Sequence, residues 1–344
     1  MTCSSPVEAS CTRRPRSGFL PDRTIHLHPL RRCNLACAHC YSASSPTAKG
    51  MIAFSDLAPA LHRLREQGYE VLSLSGGEPM LYPELNDLLI EARALGFRCV
   101  AISNGFRINK RFAKTIDLFD GLAISFDGLK DIHNRVRGNQ RAFEMALSAL
   151  RYLKSVGKPA AAAFTVSQES LPEVPDFVEI AAELGVRAVQ LRPLVMAGRA
   201  ITDYNVPALT HADRNRVWAM GQALASAYDG QMAVHTDLAH STHIAADRAA
   251  WQDILDGTGT VLSDRVNPLV ITPEGVMRPY TFDFAPKFDL GTLADLAPNR
   301  LDRVMERTDK LSALLQSALH YAEGEESFLD WFAYCRDHGN HMVA

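Results

Sequence analysis

From position 23 the chain alternates short apolar runs with longer stretches whose apolar residues recur every three or four positions. The runs at 24–28, 70–75, 98–103, 121–125, 159–166 and 187–192 are too short for helices and predict strands. The stretches at 55–67, 83–95, 110–118, 140–156 and 171–184 predict amphipathic helices between them. Gly68, Gly96, Gly157 and Gly185 follow four of these helices where a left-handed residue ends a helix, and Pro83 suits a first turn. Such alternation implies parallel strands with right-handed crossovers, either an open doubly wound sheet or a barrel. Six units fall short of the eight of a complete barrel.

After residue 192 the pattern changes. A loop containing Pro193, Gly198 and Pro207 leads to a predicted helix over 212–228 and a strand over 232–236. The runs 266–272 and 276–280, joined at Glu274-Gly275, predict a β-hairpin, and 301–332 predicts a final helical region. The expected organisation is a disordered tail at 1–22, an α/β unit at 23–195 and an α+β extension at 196–344.

Composition narrows the function classes. The 344 residues carry 36 Lys plus Arg against 39 Asp plus Glu, a net charge of −3 that argues against a dedicated nucleic-acid binder. No apolar run reaches the length of a membrane span, and the N-terminus has no signal-peptide core, so a cytoplasmic location is expected. Seven cysteines, an odd number without an export signal, point to metal or thiol chemistry instead of a disulfide framework. Cys33, Cys37 and Cys40 fall within eight residues, and the other four are scattered.

The triplet follows the first predicted strand directly. Three adjacent thiols are not explained by packing, and two readings are open. One is zinc with His39 as a fourth ligand, although His39 lies immediately beside Cys40. The other is a [4Fe–4S] cluster held at three irons, with the fourth open to a ligand. At the end of the second strand Gly76-Gly77-Glu78-Pro79 reads either as a plain turn or as a ligand site, where the glycines admit close backbone approach and Glu78 accepts from an ammonium. Ser103-Asn104-Gly105, Ser125-Phe126-Asp127-Gly128 and Arg192 end later strands. All these features share the C-terminal rim of inferred parallel strands, where such folds build active sites.

Cys33-x3-Cys37-x2-Cys40-Tyr41, with Gly76-Gly77-Glu78-Pro79 about 36 residues further on, resembles the radical S-adenosylmethionine (SAM) superfamily over roughly residues 24–200. The resemblance implies a partial (β/α)6 TIM-like barrel and a [4Fe–4S] cluster on the three cysteines, whose open iron takes the amino and carboxylate groups of SAM. It implies that reductive cleavage of SAM yields methionine and a 5′-deoxyadenosyl radical, which abstracts hydrogen from substrate. Gly76, Gly77 and Glu78, with Pro79 in the same motif, would then meet the methionyl ammonium, and Ser125 the ribose. Ser103, Asn104 and Asp127 would line the pocket. Arg137, in a His133-x3-Arg137-Gly138 run similar to one in peptide-modifying members, would approach the SAM carboxylate, with Arg192 as second choice. Leu191 would pack on adenine, unless it belongs to the barrel core. A reductant such as flavodoxin or ferredoxin is expected as electron donor.

The hairpin 271–280 and the following Leu290-Gly291-Thr292-Leu293 resemble the start of a SPASM or twitch extension, in which a Cys follows the Pro. Here Tyr280 stands there, and Cys335 is the one thiol of the C-terminal region. A SPASM-like remnant without auxiliary clusters is therefore expected, leaving one cluster per chain. Cys335 reads either as a hydrogen-atom donor to a substrate radical or as an ordinary buried thiol beside Trp331 and Tyr334. The expected substrate is a peptide; only 32 residues precede Cys33, so peptide recognition is expected either from a separate partner or by direct binding of the peptide. The alternatives are a sugar or nucleoside intermediate and a non-catalytic zinc or iron–sulfur scaffold.

Overall fold

A computed structural model describes residues 22–203, 207–240, 259–324 and 328–329. The first part alternates β1 (Thr24–Leu27), α1 (Phe54–Glu66), β2 (Val71–Leu74), α2 (Leu85–Ala94), β3 (Arg98–Ser103), α3 (Ala113–Asp117) and β4 (Gly121–Phe126). It continues through α4 (Lys130–Arg137), α5 (Ala142–Ser155), β5 (Ala160–Val166), α6 (Val174–Glu183) and β6 (Ala188–Pro193). Gly68, Gly96, Gly157 and Gly185 all have positive φ, so four of the helices end where the sequence places their stop signals. The expected helix at 110–118 is a 3₁₀ turn followed by the five-residue α3.

Later elements extend this sheet at both edges. They are α7 (Arg199–Thr202), α8 (His211–Ala227), β7 (Ala233–Thr236), β8 (Ala239–His240), α9 (Leu262–Arg265), β9 (Leu269–Ile271), β10 (Val276–Pro279), β11 (Gly291–Thr292), α10 (Leu301–Gly324) and β12 (Phe328–Leu329). The ten-stranded order is β11-β10-β9-β1-β2-β3-β4-β5-β6-β7, and β8 pairs separately with β12. The strands from β9 to β7 are mutually parallel, while β10 and β11 run antiparallel. The molecule is thus an α/β partial barrel whose parallel sheet carries C-terminal antiparallel strands. The predicted hairpin is β9–β10, turned at Gly275 with φ 75°.

Strand alternation divides the sheet into two faces. Ile25, Leu27, Leu72, Leu74, Ile124, Phe126, Phe164, Val166, Val189 and Leu191 are buried on one face, in the same core as Leu61, Leu88, Leu150 and Phe177 of the helices. Phe177 of α6 lies 4.7 Å from the rings of both Phe126 and Phe164. Each such fully buried side chain contributes about 1.5–3 kcal/mol. The register places small and polar residues on the opposite face, among them His26 beside Ser73, Ser125 beside Ala163, and Gln190 beside His235. That face is the barrel's concave interior.

The segment after residue 259 is fastened to the β1 edge. His28 donates its N–H to the Ile271 carbonyl at 2.9 Å, and the Tyr69 hydroxyl donates to Val266 at 2.7 Å. Arg31, just before the cysteine triplet, pairs with Glu274 of the hairpin turn at 2.7 Å.

Candidate active site

The cysteine loop leaves β1 and rises over the C-terminal rim. Its sulfurs sit among donors: Leu35 N–H lies 3.4 Å from Cys33 Sγ, Ser44 N–H lies 3.4 Å from Cys40 Sγ, and Asn104 Nδ2 lies 3.7 Å from Cys33 Sγ. Burial pushes the Cys33 thiol up to about 12 and the Cys37 thiol to about 11. Without a bound cation these groups stay protonated, and ligation of one releases the protons.

The Gly76-Gly77-Glu78-Pro79 turn packs directly onto the start of this loop. A Cβ on Gly77 would stand 2.1 Å from the Arg32 carbonyl oxygen, and one on Gly76 would stand 2.8 Å from His28 Cβ. The glycines thus admit close approach, but what approaches is the chain at 28–32. Glu78 is also committed. Its buried carboxylate accepts from Ser103 Oγ at 2.9 Å, Asn104 N–H at 2.9 Å and Met80 N–H at 3.2 Å. Burial raises its pKa, and the bonds from Asn104 and Ser103 oppose the rise. Pro79 opens the short 3₁₀ turn that Glu78 caps. Glu78 and Ser103 therefore brace the rim internally. The sequence assigns Glu78 to the methionyl ammonium and Ser103 to the pocket lining, because it carries no sign that the two close on each other.

Asp127, fully buried at the end of β4, receives Arg137 Nε at 2.5 Å and Arg137 Nη2 at 3.2 Å. His39 Nε2 lies 2.7 Å from Asp127 Oδ1, the oxygen that also receives Arg137 Nη2, so the residue offered as a zinc ligand is turned to a carboxylate. Burial alone would raise the Asp127 pKa, but Arg137 and then His39 hold it well below the carboxylate range. Asp127 N–H donates to His133 Nδ1 at 3.2 Å, and burial beside Arg137 lowers His133 to about 3, so this ring is neutral. Arg137 is the cation beside Cys37, and its guanidinium is drawn to Asp127 by two of its nitrogens.

The remaining candidates separate by face. Ser125 sits on the concave side in register with Ala163. Leu191 does not reach that side. It is fully buried under α8, 3.8 Å from where a Gly221 Cβ would lie, so its place is the core and not an adenine pocket. Arg192, two residues beyond Gln190 on β6, shares the concave side with Ser125; it is half-exposed, pairs with Asp237 at 3.1 Å and bears electrostatically on His26 and Tyr41. Cys335 lies outside the described residues. Gly198 and Arg199, which sequence reasoning passed over as loop, touch the cysteine loop; a glycine before a short helix gives no signal of it.

The donor set favours a cluster over a single ion. His39, the fourth ligand a single zinc ion would take beside the thiols, is instead held by Asp127 at 2.7 Å. Three thiols with amide donors on their sulfurs and two arginines near Cys37 suit a multinuclear anion. Fold and rim together define an α/β-barrel protein built to hold a thiolate-ligated cofactor at the mouth of its sheet.

The comparisons with known proteins agree. Residues 27–181 match the family model of the radical SAM superfamily. An AdoMet-dependent heme synthase of Oleidesulfovibrio alaskensis is 31% identical over 182 residues, 52% of this chain and 47% of the relative. The sporulation killing factor maturation protein SkfB of Bacillus subtilis is 25% identical over 170 residues, 49% of this chain and 42% of the relative. The chain spans about half the length of these curated relatives. Among solved structures, native anSMEcpe with bound AdoMet and Cp18Cys peptide shares the fold, with a TM-score of 0.63 over 92% of this chain and 88% of that one, at 17% identity. Among the described residues no helix is long and apolar enough to cross a membrane.

Proposed function

We propose that Cys33, Cys37 and Cys40 hold one [4Fe–4S] cluster, that SAM binds beside it, and that the chain initiates radical chemistry on a peptide. When bound, the two cofactors supply a 5′-deoxyadenosyl radical that abstracts hydrogen from the substrate. The carrying observation is the cysteine loop itself, whose sulfurs face amide donors at the C-terminal rim of a parallel sheet. In this reading Asn104 and the backbone of Gly76-Gly77 border the cluster, and Ser125 lines the concave face next to it. Arg137 balances the charge of the thiolates, while Glu78 and Asp127 keep the rim in shape without changing protonation.

Peptide as substrate class is supported by the maturation protein among the relatives and by the peptide in the structurally similar anSMEcpe. A second reading, a tetrapyrrole substrate, is favoured by the higher identity to the heme synthase. In either case a reductant is required as partner, and flavodoxin or ferredoxin fits that role.

The test is anaerobic reconstitution followed by dithionite and SAM. The wild-type chain is expected to form 5′-deoxyadenosine and the Cys37→Ala variant none. A colourless or zinc-loaded protein that leaves SAM intact defeats the proposal. Transfer of deuterium into 5′-deoxyadenosine from a labelled peptide, and not from a labelled porphyrin, separates the two substrate classes.

A further inference from the structure

The strap that follows β6 crosses the rim and grips the cysteine loop from the far side of the sheet. Arg199 donates its backbone N–H to the Cys40 carbonyl at 3.0 Å. Its Nε donates to the Cys37 carbonyl at 2.9 Å and its Nη2 to the Ser44 carbonyl at 2.7 Å. One residue thereby ties three carbonyls spread over the triplet's last turn.

Gly198 makes this possible. Its φ is 55°, and a Cβ there would stand 2.4 Å from the Tyr41 carbonyl oxygen and 2.5 Å from that of Cys40. Both the backbone conformation and the contact demand glycine. Ala200, fully buried, anchors the strap on its other side. In the sheet order four strands stand between β6 and β1, so the contact spans the mouth of the barrel and does not follow from strand pairing.

Resting on the reading of the triplet as cluster ligands, we infer that Arg199, seated by Gly198, is a positioning residue that holds the Cys37–Cys40–Ser44 turn in its ligating conformation. A guanidinium suits the task because its planar fork meets two carbonyls at once, whereas an ammonium is a single point donor. The strap leads on towards α8, so it also links the cysteine loop to the β6–β7 side of the barrel.

The experiment uses the full chain, reconstituted anaerobically, and follows release of iron to excess ferrous chelator together with the EPR line shape of the reduced protein. Arg199→Lys and Gly198→Ala are expected to release iron roughly tenfold faster than wild type, with an altered line shape, as the loss of charge-assisted hydrogen bonds implies. Lys keeps the charge, so a shared effect reports geometry. Arg63→Gln, on the exposed side of α1, is expected to behave as wild type. Unchanged iron release and line shape in both variants overturn the inference. So does a fall in the melting temperature of the cluster-free variants large enough to explain the release. A wild-type chain that takes up no cluster instead removes the reading beneath it, a distinguishable failure.

Discussion

Glu78 shows how a charged residue at an active-site rim can act without touching a ligand. Three donors converge on its buried carboxylate, two of them backbone amides. Glu78→Ala leaves those donors buried and unpaired, at about 1–3 kcal/mol each before relaxation. The expected outcome is a loss of several kcal/mol in urea unfolding of the cluster-free chain; a variant as stable as wild type would assign Glu78 to the ligand instead. Histidines set a second expectation. His28 is buried, stacked on Phe282 with ring centroids 4.8 Å apart, and burial followed by the nearby His26 lowers it to about 3. With His133 also near 3, the folded chain refuses protons that the unfolded chain takes up below about pH 6.5. Stability from this source is complete above pH 6.5 and falls as pH drops towards 3, by up to about 1.4 kcal/mol per pH unit for each histidine. Denaturation midpoints measured between pH 8 and pH 5 check the sign. At this scale the sequence singles out the three cysteines as candidate ligands, because three close thiols have no packing explanation. It did not separate ligands from braces, since burial of Glu78, Ser103 and Leu191 depends on which strand face each one takes.

Elements were legible where their apolar period met a stop signal. Most of the predicted helices ended in a left-handed glycine, and the hairpin turned at its predicted Gly275. Helix α4 was missed for a physical reason: it buries His133, Asn134 and Arg137 along with Val136, so its inward face is polar and carries no hydrophobic period. Its polar face is the one that closes on Asp127 and the cysteine loop, and Ala38 N–H donates to the Val136 carbonyl at 2.8 Å. Two glycines test the packing of elements at the rim. Gly77→Ala forces a methyl group to within 2.1 Å of the Arg32 carbonyl and is expected to separate the Gly-Gly-Glu-Pro turn from the cysteine loop, abolishing cluster uptake. Gly138→Ala meets nothing within 4 Å, and its φ of 63° is expected to cost only about 1 kcal/mol. Iron content and thermal melts of both variants distinguish a steric from a merely conformational effect.

Across the whole molecule, the change of pattern near residue 195 was visible, but not its consequence for the sheet. Strand pairing is non-local, so a strand of four residues such as β7 shows nothing of its neighbour β6, nor β9 of β1. The C-terminal segment builds the flank of the active site, bringing Phe282 against His28 and Tyr41 beside the triplet. Tyr280 stands where the SPASM resemblance expects a cysteine. It is buried and has φ 63°, with its ring edge-on to Phe284 at 5.5 Å. Iron after reconstitution is accordingly expected at about four per chain, one [4Fe–4S] cluster, as counted by colorimetric iron and sulfide analysis. In the proposed function the three cysteines of the β1 loop hold a single cluster open to SAM. EPR of the dithionite-reduced chain, recorded with and without SAM, is the decisive measurement. One cluster signal that shifts when SAM is added, and that is absent from Cys37→Ala, is the predicted result; a signal indifferent to SAM, or none at all, contradicts the proposal.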